Sequence, residues 1–330
     1  MKGGAMTTAV VKQEIAVASF SKVYDLERVE TALSELGEGA NEALRTTYEK
    51  MLKVGNLRFC VKPTRMPAIE ALIDALPNFA DPLEDIRRQV ALCMETEDRL
   101  ELMPMLLLGD PGIGKTHFAK ALARLLGTSH HYVAMSSLTA GWILSGASSQ
   151  WKNAKPGKVF ETLVNGSYAN PVMVVDEIDK AGGDAQYDPL GALYALLEYE
   201  TAQTFIDEFA EVPINAGQVI WIATANDERS IPEPILSRMS VYEIAAPDRE
   251  GARRIAQTIY DEVRAAHHWG RRFPEQLGDD ALEALSRASP RDMRRAILHA
   301  FGEARIDGRD VVRADDIRPE RGARRRPIGF

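Results

Sequence analysis

Residues Gly109 to Thr116 read Gly-Asp-Pro-Gly-Ile-Gly-Lys-Thr, directly behind the apolar positions Met103, Met105, Leu106, Leu107 and Leu108. No other stretch constrains the fold as much. An apolar run entering a glycine-rich turn predicts a buried strand, and His117 to Leu126 has the period of a helix leaving that turn. Strand, turn and helix in this order gather backbone N–H groups and a helix N-terminus around one point, which suits a phosphate. Lys115 would reach the β- and γ-phosphates and Thr116 would offer a hydroxyl to Mg2+, with Gly109, Asp110, Pro111, Gly112, Ile113, Gly114 and His117 completing the cradle. The expectation is a nucleoside-triphosphate site using Mg2+.

Two further apolar runs supply the rest of such a site. Val172-Met-Val-Val-Asp176-Glu177-Ile-Asp179 reads as a buried parallel strand whose C-terminal end carries acids into a cleft. Asp176 is the candidate for the Mg2+ shell and Glu177 for polarising an attacking water, while Asp179 reads as strand-end solvation. Val219-Ile-Trp-Ile-Ala-Thr224-Ala-Asn226 ends in an amide at the equivalent place, able to hold that water or the γ-phosphate. Beyond Ile231-Pro-Glu-Pro-Ile-Leu-Ser-Arg238, the isolated arginine is either a solvated charge or a cation supplied across a subunit boundary.

Composition narrows the function classes. A net charge of −8 argues against broad electrostatic binding of nucleic acid, although a local basic patch is compatible with it. Cys60 and Cys93 are too few and too far apart for a disulfide framework or a zinc knuckle, and the pairs His130-His131 and His267-His268 lack accompanying metal ligands. No stretch reaches the ~18 uninterrupted apolar residues of a membrane span. The apolar stretch at the N-terminus is too short for a secretory signal, so a soluble, cytoplasmic protein is expected.

Along the chain, residues 1 to about 20 read as a loose lead-in, followed by helical periodicity from Asp25 to Lys53, broken around Gly37 to Gly39. Pro67 to Leu76 is a further helix, and Asp81-Pro82 reads as the N-cap and first position of the next. Strands then alternate with helices to about Ile244, implying an α/β fold with a parallel sheet. Arg249 to His267, Asp280 to Ser286 and Pro290 to Ala304 are helical in period. The expected division is a helical segment over 1–80, an α/β nucleotide-binding domain over 81–246, a small helical domain over 247–317 and a basic tail over 318–330 with Arg321, Arg324, Arg325 and Arg326.

The order of these motifs resembles the AAA+ ATPases, and within them the ATPase module of Lon-type proteases. Lys155-Pro-Gly-Lys158, Asn170-Pro-Val-Met-Val-Val-Asp-Glu-Ile-Asp-Lys180, Asp188-Pro189, Phe205, Asp207, Val212-Pro213 and Ile222-Ala-Thr-Ala-Asn226 follow at the Lon spacing, so the resemblance covers roughly residues 81 to 305. It implies a P-loop parallel sheet flanked by helices, followed by a helical lid, in a ring that is usually hexameric. By the same resemblance Asn226 is a sensor-1 residue, Arg238 an arginine finger and Arg291 the sensor-2 arginine of the lid, with Arg294 and Arg295 as competitors for that last role. Trp151 and Lys152 fall on the aromatic–aliphatic pair that grips polypeptide in the pore, Lys152 being a departure from the pattern. Asp81-Pro82 departs from the Tyr-Gly of Lon, so adenine contacts are not carried over to it.

The chain to Phe330 shows no serine–lysine protease domain, and the resemblance then implies a motor without a peptidase. Three functions fit these features: a remodeller of a protein client, a nucleic-acid-linked loader or transposition helper, and a nucleotide-gated scaffold. Glu177 and Arg238 argue against the scaffold, because a pure switch needs neither.

Overall fold

The structure is a computed structural model describing residues 17–37, 39, 41–135, 142–181 and 188–318. The expected lead-in up to residue 16 and the arginine-rich tail after residue 318 lie outside the described residues. The described chain opens with β1 (Val17–Lys22), α1 (Leu26–Glu35), α2 (Glu42–Val54) and β2 (Leu57–Lys62). It continues through α3 (Ile69–Ala75) and α4 (Ala80–Cys93) to β3 (Met105–Leu108), α5 (Lys115–Leu126) and β4 (His130–Ala134). A short helix, α6 (Trp142–Ser145), precedes α7 (Lys158–Asn165) and β5 (Val172–Asp176). Single turns α8 (Leu193–Leu196) and α9 (Tyr199–Ala202) and a small ladder of β6 (Phe205–Ile206) with β7 (Pro213–Ile214) lead to β8 (Ile220–Ala225). The series closes with α10 (Glu233–Leu236), β9 (Ser240–Glu243), α11 (Arg249–Ala266), α12 (Asp279–Leu285) and α13 (Pro290–Ile306).

The central sheet runs β4-β5-β8-β3-β9, every pair parallel. The run at 172–175 is apolar throughout because both faces of the strand are covered. Met105, Leu107, Val172, Val174, Ile220 and Ile222 face one core, with Leu83 and Ile86 of α4 and Phe118 and Leu122 of α5. Leu106, Met173, Val175, Trp221 and Ala223 face the other, with Val159 and Leu163 of α7. Each fully buried side chain of this size contributes roughly 1.5–3 kcal/mol. Parallel alignment also fixes the chemistry. β5, β8 and β3 are consecutive in the sheet, so their C-terminal ends, carrying Asp176, Asn226 and Gly109, open on the same edge.

The N-terminal segment differs from the helical expectation. β1 and β2 form an antiparallel ladder from Val17↔Lys62 to Lys22↔Leu57, so residues 17–20 belong to a strand and not to a loose lead-in. Val29 of α1 and Leu44 and Met51 of α2 lie in the same core as Met173 and Trp221, and the Tyr48 hydroxyl donates to Ala210 O at 2.7 Å. Arg58 of β2 is buried and spends its guanidinium on the C-terminal carbonyls of α7, Leu163 O at 2.9 Å and Val164 O at 2.5 Å, and on Gly55 O and Leu57 O. A cation at that end opposes the partial negative charge of the last carbonyls.

Asp81 is not an N-cap. A 3-10 turn over Pro77–Phe79 runs directly into α4, so the cap position falls on Phe79 and Asp81 and Pro82 lie within the first turn, where a proline is tolerated. The C-terminal helices form their own core of Ile255, Tyr260, Leu285, Met293, Ile297 and Phe301. Asp248 and Ser289 cap α11 and α13 through Gly251 N–H at 2.7 Å and Asp292 N–H at 3.3 Å.

Candidate functional site

The phosphate loop leaves β3 and enters α5 at Lys115. Gly112 and Gly114 sit at φ of 85° and 108°, left-handed values that suit glycine and turn successive N–H groups toward one point. The Lys115 ammonium is nearly buried and donates to Gly109 O, to Asp110 O at 3.2 Å and to Asn226 Oδ1 at 3.0 Å. Burial lowers its pKa, while the carboxylates of Asp176, Asp179, Asp110 and Glu177 pull it back up. A cation surrounded only by oxygen acceptors at the mouth of a glycine loop fits phosphate oxygens.

The acids at the end of β5 are fixed by hydroxyls. Asp176 Oδ1 accepts from Thr224 Oγ1 at 2.5 Å and from Thr116 Oγ1 at 3.5 Å, and its Oδ2 accepts from the Tyr132 phenol. Burial, then the bond to Asp176, drive the Tyr132 pKa far upward, so the phenol stays protonated and donating. The convergence of the Thr116 hydroxyl and the Asp176 carboxylate is the hard-oxygen donor set that suits Mg2+. Glu177 adopts φ 55°, costly for a residue with a Cβ, and its N–H donates to Thr224 Oγ1 at 3.0 Å. Its carboxylate faces Lys180 at 2.8 Å and lines the cleft.

Asp179 does more than solvate a strand end. Its Oδ2 accepts the Asn226 N–H at 3.1 Å, tying the ends of β5 and β8 together. Thr224 and Tyr132 were not read from the sequence. Thr224 stands two positions before Asn226, which is a usable signal for a buried strand-end hydroxyl. Tyr132 lies on β4, which carries His130 and His131 and lacks the apolar run that marks the inner strands.

Lys115, Thr116, Asp176, Glu177, Thr224 and Asn226 line a cavity of ≈ 290 Å3 that is bounded on its far side by the helical unit. Residues 111–117 with Asp176, Glu177 and Asn226 form its polar floor, and Ala75 and Leu76 of the α3 end face Ile255 and Ile259 of α11 across an apolar wall. That wall suits a flat heterocycle, and Asp81 is not part of it. Arg291 and Arg294 of α13 both line the cavity. Arg294 is engaged by Glu262 at 3.2 Å, and Arg295 pairs with Asp292 at 3.9 Å outside the cavity. His117 also lines it, with Nε2 3.5 Å from Glu262 Oε1; burial lowers its pKa against the opposing pull of that carboxylate.

Two residues stand apart. Arg238 is absent from the lining of this cavity and pairs with Glu198 at 2.7 Å while donating to Pro234 O at 2.5 Å. Trp151 is 46% exposed at the tip of the loop 146–157, as the polar residues around it imply, and Lys152 beside it is exposed. It does not stand without a partner, as the Trp142 ring meets it edge-on at 5.2 Å and 81°.

The neck of that loop is closed by Ala147 N–H to Lys155 O at 3.1 Å and clamped by Asp207. The Asp207 carboxylate is fully buried; Oδ2 accepts Gly157 N–H at 2.7 Å, and Oδ1 accepts Phe209 N–H at 3.0 Å and Ala210 N–H at 3.2 Å. A Cβ on Gly146 would lie 2.6 Å from Asp207 Oδ1, so only glycine allows this approach. Burial pushes the Asp207 pKa up to about 6 despite the three N–H donors.

Comparison with known proteins agrees with this geometry. Residues 105–245 match the ATPase family associated with various cellular activities (AAA). Lon protease 2 of Sorangium cellulosum is 35% identical over 164 residues, 50% of this chain and 20% of that protein. Lon protease 1 of Thermus thermophilus is 30% identical over 203 residues, 62% of this chain and 24% of that protein. The matched stretch thus spans about a fifth to a quarter of the length of these relatives. Among solved structures, the RuvB Holliday junction branch migration motor of Thermotoga maritima superposes with a TM-score of 0.46 at 18% identity, covering 74% of this chain and 71% of that one. With a P-loop, paired strand-end acids and a parallel sheet all in register, residues 105–245 are an AAA-family ATPase domain, related over this stretch to the ATPase region of Lon proteases.

Proposed function

We propose that this ATPase assembles into a ring, a hexamer by family expectation, and uses ATP hydrolysis to remodel or unfold a protein client. The observation that carries the ring is Arg238. Lys115, Asp176, Glu177, Asn226 and Arg291 all line one cavity, whereas Arg238 lies outside it. An arginine set apart in this way supports a role in a neighbouring subunit's cleft, where it would meet transition-state charge.

Within one subunit, the loop N–H groups and Lys115 bind the phosphates, Ala75, Leu76, Ile255 and Ile259 take the base, and Arg291 brings the helical lid over residues 247–317 onto the nucleotide. Thr116 and Asp176 would hold Mg2+, which when bound neutralises charge on the phosphate oxygens. Glu177 polarises the attacking water and Asn226 orients it. Trp151 and Lys152 form the client-gripping loop, since a large flat ring holds an extended chain without sequence preference. Free, buried Cys60 and Cys93 suit a reducing compartment, and we place the protein in the cytoplasm. Among the described residues no helix is long and apolar enough to cross a membrane.

The test separates binding from turnover and then asks what stimulates it. Lys115→Ala should abolish nucleotide binding, while Glu177→Gln should keep it and lose hydrolysis. Equal loss of binding in both variants would sink the role assignment. Stimulation of the wild-type ATPase by a permanently unfolded protein and not by DNA is expected; the reverse preference would favour a nucleic-acid loader.

A further inference from the structure

The metal-binding carboxylate of this site has one oxygen committed to a residue from a neighbouring strand. β4 and β5 are parallel with Tyr132↔Val174 and Ala134↔Asp176 in register. Tyr132 therefore stands two residues behind Asp176 on the same face, about 6.6 Å along the strand, a distance the length of a phenol bridges. The result is the bond from the Tyr132 hydroxyl to Asp176 Oδ2, while Oδ1 is left to Thr116 and Thr224. Tyr132 is 48% exposed on an edge strand, where a polar or β-branched residue would serve, and its hydroxyl bonds the Asp176 carboxylate.

We propose that Tyr132 is a positioning residue for the divalent-cation site, locking the Asp176 carboxylate by its outer oxygen so that the inner oxygen faces Thr116. The proposal rests on the Mg2+–ATP reading of this cleft. A carboxylate at a strand end rotates about its terminal bond, and two hydroxyls on Oδ1 alone do not define its plane. The phenol on Oδ2 supplies the third point. Its donated proton also draws negative charge from the carboxylate, which works against metal attraction. Orientation outweighs this, because the partners that hold a metal ligand in place are typically worth 10–100-fold in metal affinity.

The experiment uses the full chain, Mn2+ as the probe and ADP as the nucleotide. Free Mn2+ is read by its electron paramagnetic resonance signal as it is titrated into the protein–ADP complex, and ADP affinity is measured separately in EDTA. For Tyr132→Phe, Mn2+ affinity should fall about tenfold, with metal-free ADP affinity within about twofold of wild type. An unchanged Mn2+ affinity would reduce Tyr132 to an exposed surface residue. A fall of ADP affinity in EDTA by the same factor would assign the effect to the ring and not to the metal site. Asp176→Ala serves as the control. If it too leaves Mn2+ affinity unchanged, the metal-site reading itself fails and the proposal with it.

Discussion

Replacing Asp207 with asparagine separates its charge from its shape. An asparagine oxygen in the Oδ1 position keeps Phe209 N–H and Ala210 N–H, whereas its amide nitrogen meets Gly157 N–H, donor against donor. One buried N–H is orphaned, at a cost of about 1–3 kcal/mol. The opposing effect is loss of a buried charge. A carboxyl whose pKa moves from 3.8 to about 6 carries a penalty of about 3 kcal/mol once ionised, at about 1.4 kcal/mol per unit.

The folded state binds the Asp207 proton more tightly than the unfolded state, so the stability contributed by this group is complete below pH ~4 and is lost as pH rises through ~6. Asparagine has no such slope. Asp207→Asn should therefore be destabilised by up to about 2 kcal/mol near pH 4.5 and draw level with or exceed wild type by pH 7.5. Urea denaturation midpoints of both proteins at the two pH values measure this. A stability difference that is the same at pH 4.5 and pH 7.5 would refute the charge argument, and with it the view of Asp207 as an ionised clamp.

Arg238→Ala should leave ATP affinity nearly intact and lower turnover by about 10³-fold or more, the range found for arginine fingers. Mixed with Lys115→Ala protein it should recover activity at hybrid interfaces; no recovery in mixed rings that demonstrably assemble would place the arginine's action within its own subunit. Trp151→Ala should keep basal hydrolysis and lose client remodelling, with a stability loss of about 0.5–1.5 kcal/mol from the Trp142 ring contact. Trp151→Tyr should retain most of the work. Loss of nucleotide binding in the alanine variant would instead make Trp151 a structural residue.

What could be read from the sequence is what local chemistry and period determine together. The P-loop, the acids of β5, the amide after β8 and the two helices after Pro247 capped by Asp248 and Ser289 each combine a run of fixed period with a residue that has few other uses there. The outer strands gave no comparable signal. β4 (His-His-Tyr-Val-Ala) and β9 (Ser-Val-Tyr-Glu) border the sheet, and β1 and β2 form a separate two-stranded ladder that meets the segment before β5 through the Phe59–Tyr168 bridge, so their sequences mix polar and apolar residues. The Tyr132–Asp176 bond depends on the register of two strands 44 positions apart, which no window along the chain contains. The start of α4 escaped for a different reason. Asp-Pro is a sound N-cap signal, but the 3-10 turn before it had already begun the winding.

Helix α7 has a buried charge at each end, the Asp207 carboxylate on the N–H of Gly157 and the Arg58 guanidinium on the carbonyls of Leu163 and Val164. An eight-residue helix is only about 12 Å long, and on its own it would fray at both ends. Held this way it works as a connecting rod. Its C-terminal end is bolted to the β1–β2 ladder, and its N-terminal end is bolted to the root of the loop that carries Trp151. Asn41, at the start of α2, fastens the same loop from the side through Ser149 O at 2.6 Å. The N-terminal ladder and the root of the Trp151 loop thus share one rod, held by Arg58 and Asp207, neither of which lines the nucleotide cleft.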